Sequence, residues 1–323
     1  MFIVHTFTMT FAAMFQIFLL GLCGYVLVKK DIISAENIKA LSRLIIGLLL
    51  PCFIFAKFIE NFSFIAFRFW WVFPLMSIVV TVIGFMIGDL VANSDTRLKK
   101  FRQEFVGLVA FQNSGYLPLL LVALLLPAQQ QERMFILIFL FLLGFNLVLW
   151  SAGVFYLTRQ KGTRLHIGSL LSPPVVAIIA SLFIIVIGVN RFIPPLIIAP
   201  VKMLGECTLP LAMLVVGANF SLATKQPREN AWIVFNIVVA KLLLMPLFVF
   251  GILLLLRPPH EMAFLLLLES IVPSATSLSL IMRTYEKEDN IISAGVFWTH
   301  VISLITIPLF LVLFSLLRFY LTP

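Results

Sequence analysis

The sequence predicts an all-α integral membrane protein with about ten transmembrane helices. Hydrophobic residues make up 62% of the 323 residues and charged residues 11%, and the mean hydropathy is +1.12. Soluble domains contain roughly 45–50% apolar residues, so this composition requires lipid as the solvent. Because a membrane-spanning helix takes about 20 residues, the chain has room for about ten such helices joined by short connections.

Ten apolar stretches, bounded by charged residues or by proline and glycine, predict these helices in order. Each stretch is long enough to cross the roughly 30 Å hydrocarbon core of a bilayer. We number them spans 1 to 10, and they cover residues 5–28, 38–59, 67–91, 104–127, 133–157, 173–190, 197–221, 230–256, 262–282 and 291–318.

Basic residues in the connections predict how the chain crosses the membrane. Assigning the connections alternately to the two sides places fifteen Lys and Arg residues on one side and seven on the other, with Lys241 inside span 8. Cytoplasmic loops carry an excess of basic residues, so the first side is expected to be cytoplasmic and both termini extracytoplasmic. The expected location is the cell inner (plasma) membrane, and span 1 is expected to be retained because no signal-peptide pattern surrounds it.

The formal net charge of +9 does not indicate a nucleic-acid partner. The basic residues are scattered between apolar stretches, whereas a nucleic-acid-binding protein collects them on one face. The expected partners are therefore a small solute and membrane lipid.

A basic connection at about 158–169 divides the chain into halves of five spans each, about 1–160 and 170–323. An odd number of spans per half means that two related halves insert with opposite orientation, as an inverted repeat. Prolines recur at matching positions, with Pro51 and Pro210 in spans 2 and 7 and Pro118 and Pro273 in spans 4 and 9. We therefore expect one transporter domain over 1–323.

Small polar residues accompany the prolines of spans 4 and 9. A proline inside a helix removes a hydrogen bond, and in hydrocarbon the freed carbonyl needs another partner. Broken helices at equivalent places in inverted halves indicate a transporter's binding site, and their exposed N-termini suit an anion. The alternative is a pair of ordinary kinked helices packed through small residues. The predicted substrate-binding residues are Asn113, Ser114, Gly115, Pro118, Ser270, Pro273 and Ser274.

Ionisable residues inside spans are the candidates for ion coupling, because each is costly in hydrocarbon. Glu269 precedes Pro273 by one turn and is predicted to bind a coupling proton or cation, or else to form a structural ion pair with Lys241. Glu206 precedes Pro210 in the same way, but Lys202 one turn earlier offers a local ion pair. His300 in span 10 is either a proton relay or a histidine hydrogen-bonded to a neighbour.

No enzymatic pattern accompanies these residues. The sequence contains no H-E-x-x-H, G-x-S-x-G or G-x-x-x-x-G-K motif, which argues against a metalloprotease, a serine hydrolase and an ATP-driven pump. Cys23, Cys52 and Cys207 form no metal-binding pattern. We expect no enzyme activity, no metal and no cofactor, with transport driven by H⁺, by Na⁺ or by the solute's own gradient.

Short motifs along the whole chain resemble the auxin efflux carrier family, whose bacterial members include malate and malonate permeases. The resemblance begins with Gly24-Tyr25-Val26-Leu27-Val28-Lys29-Lys30 and Leu50-Pro51, continues with Leu209-Pro210-Leu211-Ala212-Met213, and ends with Pro273-Ser274-Ala275 and Ile307-Pro308.

The resemblance implies two inverted five-helix repeats, with a scaffold domain and a transport domain that move in an elevator-like mechanism. It implies an organic anion bound beside Asn113, Pro118 and Pro273, and it makes a homodimer an expectation, although the sequence indicates no interface. Span 4 lacks the second glycine of the family pattern and span 6 opens with Ser172-Pro173-Pro174, so the substrate does not carry over. The alternatives are a non-transporting receptor or scaffold, or a channel.

Overall fold

The computed structural model describes residues 2–158, 171–222, 231–285 and 290–321. Within these ranges the chain forms helices and no strand, which confirms the predicted all-α class. Two residues, Gln112 and Ser274, form one isolated antiparallel bridge. Apart from Thr158, the basic connection predicted at 158–169 lies outside the described residues.

The first part of the chain forms nine helices before residue 159. Residues 45–49 and 149–153 are π-helical turns that join neighbouring helices into longer rods. The helices are α1 (Phe2–Lys29), α2 (Ala35–Leu44), α3 (Leu50–Asn61), α4 (Val72–Ser94), α5 (Thr96–Lys99), α6 (Arg102–Ala110), α7 (Tyr116–Leu125), α8 (Ala128–Val148) and α9 (Val154–Thr158).

The second part of the described chain continues in the same way. A π-helical turn at Ala240–Leu244 joins two of its helices. These are α10 (Pro173–Val186), α11 (Pro195–Glu206), α12 (Thr208–Leu222), α13 (Ala231–Val239), α14 (Met245–Leu256), α15 (His260–Ile271), α16 (Ser277–Thr284) and α17 (Asn290–Leu321).

Seven continuous helical stretches in the described residues are long and apolar enough to cross a bilayer. Their outer surfaces carry large apolar side chains in the open, such as Leu90 at 75% exposure, Leu196 at 85% and Leu255 at 81%. Such surfaces are stable against lipid tails and not against water. The chain is a multi-pass membrane protein whose seven stretches are Val4–Lys29, Glu36–Asn61, Val72–Ser94, Ala128–Thr158, Pro195–Ser221, Ala231–Leu256 and Asn290–Leu316.

Two predicted boundaries were wrong for local reasons. Span 3 starts at Val72 and not at 67, because the hydroxyl of Ser63 accepts the N–H of Ala66 and a series of turns follows. Span 5 starts at Ala128 and not at 133, because Pro127 ends the preceding segment and caps the new helix. The polar residues 129–133 therefore belong to the first turns of α8.

Two of the π-helical turns directly precede a proline. Pro51 and Pro246 are the second residues after these turns. A proline has no N–H to donate and its ring crowds the preceding turn, and a locally wider turn accommodates both constraints. The turn before Pro246 also contains Lys241, which is buried in the core.

Glycines allow the closest contacts between helices. A Cβ added to Gly217 would lie 1.7 Å from the carbonyl oxygen of Gly21, and one added to Gly24 would lie 1.9 Å from that of Leu214. The backbones of α1 and α12 therefore touch directly, which is how transmembrane helices pack through small residues. Gly84 plays the same part between α4 and α6, where an added Cβ would lie 2.6 Å from Ala110 Cα.

Candidate functional site

Two helices are interrupted inside the apolar core. One rod stops at Ala110 and resumes as α7 at Tyr116, and the other stops at Ile271 and resumes as α16 at Ser277. Pro118 is the third residue of α7, so it cannot donate to the carbonyl of residue 114 and the helix cannot run through. Asn113, Ser114 and Ser274 lie in these interruptions, whereas Ser270 lies in the last turn of α15.

The two interruptions pair with each other, and we call this arrangement the crossing (residues 111–115 and 272–276). The N–H of Asn113 donates to the carbonyl of Pro273 at 2.8 Å, and the N–H of Ala275 donates to the carbonyl of Phe111 at 2.9 Å. Backbone groups in hydrocarbon must be paired within the protein. The crossing therefore satisfies the groups that each interrupted helix leaves unpaired.

Two serine hydroxyls of the second interrupted helix, and a threonine hydroxyl of α17, form hydrogen bonds with backbone groups. Ser274 Oγ donates to the carbonyl of Leu108 at 2.6 Å, in the last turn of α6, where a helix leaves its carbonyls without partners. The N–H of Ser274 donates to Thr299 Oγ1 at 3.3 Å, and Ser270 Oγ donates to the carbonyl of Leu267 at 2.7 Å. Ser270 and Ser274, predicted to bind substrate, thus serve as caps in this arrangement.

Asn113 lies on one side of the crossing, opposite α17. Its Nδ2 is 3.1 Å from Nε2 of His300, and His300 Nδ1 is 2.8 Å from the carbonyl of Val296. Since the carbonyl can only accept, Nδ1 carries the proton of the neutral ring and Nε2 accepts from the Asn113 amide. Both side chains are nearly buried, at 5% exposure each.

A cavity of about 240 Å³ opens beside this pair. We call this side the cavity face (Asn113, His300 and the cavity). Its polar lining residues are Tyr25, Asn113, His300 and Ser303, and no charged side chain of the described residues lines it. α1, α12, α17 and the start of α7 form its walls, and the apolar lining residues are Met14, Ile17, Phe18, Gly21, Leu22, Leu117, Met213, Val216, Gly217, Phe220, Phe297 and Val301.

The other side of the crossing carries charge, and we call it the charged face (Gln112, Ser114, Lys241 and Glu269). Glu269 and Lys241 are both fully buried. Lys241 Nζ donates to the carbonyl of Val109 at 3.3 Å, and no salt bridge within 4.0 Å joins it to Glu269. The groups around the Glu269 carboxylate are Ser114, Lys241 and Gln112.

Hydrogen bonding is incomplete on the charged face. Both Glu269 oxygens, both amide atoms of Gln112 and the hydroxyl of Ser114 are buried with no hydrogen-bond partner within 3.5 Å among the described residues. Unpaired buried polar groups are costly, and a buried carboxylate is stabilised by binding a proton or a cation. The charged face therefore suits a small positive ion better than a substrate.

The backbone explains why neighbouring residues reach different faces. Between α6 and α7 the chain bridges to the second interruption at Gln112 and then forms a three-residue turn centred on Asn113, in which the N–H of Ser114 donates to the carbonyl of Gln112 at 2.9 Å. Gln112 and Ser114 consequently reach the charged face, whereas Asn113 reaches the cavity face.

The remaining predicted site residues divide into two groups. Gly115 and Pro118 lie at the entry to α7, where a Cβ added to Gly115 would meet nothing within 4 Å. Glu206 lies away from the crossing, exposed at the end of α11. The expected local pair with Lys202 was wrong, because Lys202 reaches Glu60 of α3 at 3.1 Å.

Two features of the site were not predicted. The contact of His300 with Asn113 was not predicted; its signal is a histidine in the middle of an apolar span. Gln112 was not among the predicted site residues, although this amide interrupts an apolar run beside Asn113.

Comparison with known proteins also indicates a membrane transport protein. Residues 9–167 and 157–311 match the family described as membrane transport protein. An uncharacterized transporter of Saccharomyces cerevisiae is 30% identical over 105 residues, which are 32% of this chain and 18% of the yeast protein.

Two plant proteins are also similar. Protein PIN-LIKES 2 of Arabidopsis thaliana is 30% identical over 95 residues, 29% of this chain and 21% of that protein. Protein PIN-LIKES 1 of the same plant is 23% identical over 163 residues, 45% of this chain and 33% of that protein. The matched parts thus span a third or less of these relatives. Since the family match covers most of the chain, the chain belongs to the membrane transport protein family, the family of the auxin efflux carriers.

Proposed function

We propose that the chain is a secondary transporter for a small organic anion, such as a carboxylate, that binds in the cavity. The observation that carries the proposal is that the cavity ends at Asn113, one of the residues at which the two interrupted helices cross. Interrupted helices next to a solute-sized cavity are the usual construction of a transporter site. A receptor or scaffold has no use for this costly construction.

The cavity limits the kind of solute. Four polar residues and a largely apolar, aromatic lining suit a solute with an apolar body and one polar end. Asn113 and the N-terminus of α7 provide hydrogen-bond donors for that end. Ser114, Gly115, Pro118, Ser270, Pro273 and Ser274 then shape the crossing around it.

Glu269 is proposed to bind the coupling proton or cation, with Lys241 as the neighbouring charge. Their burial without a mutual salt bridge supports this role, because one additional positive charge would neutralise the carboxylate. We expect Glu269→Gln to abolish gradient-driven accumulation while counterflow exchange continues. Full accumulation in this variant would remove Glu269 from the mechanism. Glu206, exposed and distant from the crossing, has no part in this proposal.

The proposed transport cycle is elevator-type alternating access by a ten-span protein with two inverted repeats. The interrupted helices support this proposal. Span 4 corresponds to α6 with α7, and span 9 corresponds to α15 with α16. The other eight spans correspond to the seven long stretches and α10. The proposed location is the cell inner membrane with both termini outside.

Uptake into proteoliposomes tests the function. Radiolabelled malate, malonate, benzoate and hexanoate are offered under an imposed proton or Na⁺ gradient. Saturable uptake that Asn113→Ala abolishes is the expected result. The matched control is Asn236→Ala, because the Asn236 amide bonds only to its own helix at Trp232. No saturable uptake of any of these anions would contradict the proposal and favour neutral solutes or a non-transporting role.

A further inference from the structure

We infer that His300 is a proton-dependent switch at the substrate site, and that the site binds its anion together with one proton on this histidine. The inference rests on the proposed function and adds the chemical state in which the anion is bound. It follows from the hydrogen bonds of His300 and from the absence of charge in the described lining of the cavity.

With His300 neutral, the polar end of the cavity offers one donor and one acceptor. The Val296 carbonyl holds the ring proton on Nδ1, so Nε2 accepts one N–H of the Asn113 amide. The second N–H of the amide and the carboxamide oxygen are then left for a ligand. The oxygen can only accept and repels a carboxylate, so a single amide N–H remains to bind the anion.

A proton on Nε2 reverses this arrangement. The imidazolium donates from both nitrogens, Nδ1 to Val296 as before and Nε2 to Asn113. The carboxamide must then turn its oxygen towards His300, which leaves its NH₂ group to donate to a ligand. One proton from water thus turns the carboxamide oxygen away from the ligand, leaves both N–H groups of the amide to donate to it, and adds a positive charge.

The anion needs this charge because the cavity supplies no other. The lining contains no charged side chain among the described residues, and an unpaired carboxylate in an apolar site is strongly disfavoured. The rings of Phe220 and Phe297 add apolar surface to the cavity. The ring centroid of Phe220 lies 5.2 Å from that of His300. A bound anion therefore favours the protonated histidine, and the protonated histidine favours the anion, by the same factor.

Other titratable groups on the elements packed against α17 do not replace His300. α1 contributes Tyr25 to the cavity, whereas Lys241 and Glu269 belong to the charged face. Arg102 and Glu104 lie in the first turn of α6, away from the cavity lining. The polar groups bonded to the His300 ring are the Asn113 amide and the Val296 carbonyl, and Ser303 Oγ donates to the backbone carbonyl of His300 at 2.6 Å.

Equilibrium binding to the full-length protein in lipid nanodiscs tests the inference. The probes are radiolabelled benzoate and benzenesulfonate, measured between about pH 6 and pH 8, where both stay ionised and a histidine titrates. In the unmodified protein we expect affinity to weaken as pH rises, by up to about tenfold per pH unit where His300 is neutral. In His300→Gln, which keeps an acceptor for Asn113 but cannot be charged, we expect a change below about twofold over the range.

His5→Gln is the matched control, because His5 is exposed near the start of α1 and outside the cavity lining. It should retain the pH dependence of the unmodified protein. Thermal unfolding of His300→Gln checks that it folds, and the pH series of the unmodified protein tests the inference without any variant.

Three results would overturn the inference. Saturable binding without pH dependence would do so and leave the proposed function intact. A pH dependence that persists in His300→Gln but disappears in Glu269→Gln would assign the proton to the charged face. No saturable binding of either probe at any pH would count against the anion-carrier proposal and this inference together.

Discussion

The two faces of the crossing differ in how their polar groups are bonded. On the cavity face, the neutral pair Asn113 and His300 is hydrogen-bonded and lies beside open space. On the charged face, Glu269 and Lys241 are fully buried and the carboxylate has no hydrogen-bond partner. Two residues adjacent in sequence, Gln112 and Asn113, belong to opposite faces. In the proposed transporter, the site for the solute and the site for the coupling ion are therefore separated by one peptide unit.

The largest expected effect is the loss of stability when one charge of the charged face is removed. Lys241→Met leaves Glu269 without its opposite charge and Val109 without its donor, and we expect the free energy of unfolding to fall by about 3–5 kcal/mol. Adding Glu269→Gln should recover at least half of the loss, because the buried charge is then gone. Thermal and denaturant unfolding in detergent measure both variants.

The exposed ion pair provides the control for this prediction. Lys202→Met removes the partner of Glu60 at the protein surface and should cost no more than about 1 kcal/mol. If the double variant is no more stable than Lys241→Met alone, then Lys241 and Glu269 do not interact and the charged face is not a unit.

A smaller loss of stability is expected from a change at Ser274, whose hydroxyl supports the backbone of the crossing between the two faces. Ser274→Ala deprives the buried carbonyl of Leu108 of its donor, which should lower the free energy of unfolding by about 1–3 kcal/mol. Uptake per folded molecule should stay within about twofold, because the hydroxyl serves the backbone. Ser181→Ala is the matched control, since its buried hydroxyl bonds to Ala177 within one helix. Uptake abolished in folded Ser274→Ala would instead make this serine a ligand of the solute.

The smallest and most specific effect concerns the two adjacent amides. Gln112→Leu replaces an amide that has no partner, so the free energy of unfolding should stay constant or rise by about 1 kcal/mol. Asn113→Leu removes the partner of His300 and should lower it by about 1 kcal/mol. Equal losses in both variants, measured by the same unfolding assay, would show that the faces do not differ in hydrogen bonding.

The two helix interruptions were predictable from residues close together in the sequence. The contacts that the interruptions make were not, because their partners are far apart in the chain. Pro118 and Pro273, each beside small polar residues in an apolar stretch, indicate interrupted helices because a proline removes a backbone donor. The pairing of Asn113 with His300 spans 187 residues, and no periodic pattern relates two such positions. Whether the Ser274 hydroxyl points to a solute or to Leu108 depends on that packing as well.

The partner of a charged residue near a helix end is equally hard to predict from the sequence. Lys57 lies near the end of α3, yet it is buried against Phe53 and Phe135 and pairs with Glu132 at 2.6 Å. A long side chain near a helix end usually snorkels, and only the position of α8 provides it with a closer carboxylate. Whether Lys57 is buried or reaches the membrane surface therefore depends on Glu132, which lies 75 residues away in the sequence.

The direct contact between Gly21 and Gly217 has a consequence for which solutes fit. Both glycines line the cavity, so part of its wall is bare main chain that no substitution can trim further. A larger residue at Gly217 forces α1 and α12 apart and does not merely narrow the cavity, whereas a Cβ at Gly21 would lie 3.9 Å from its nearest neighbours. Size selection thus falls to the facing side chains, and shortening Phe297 or Met213 is the available route to a carrier that accepts a bulkier cargo.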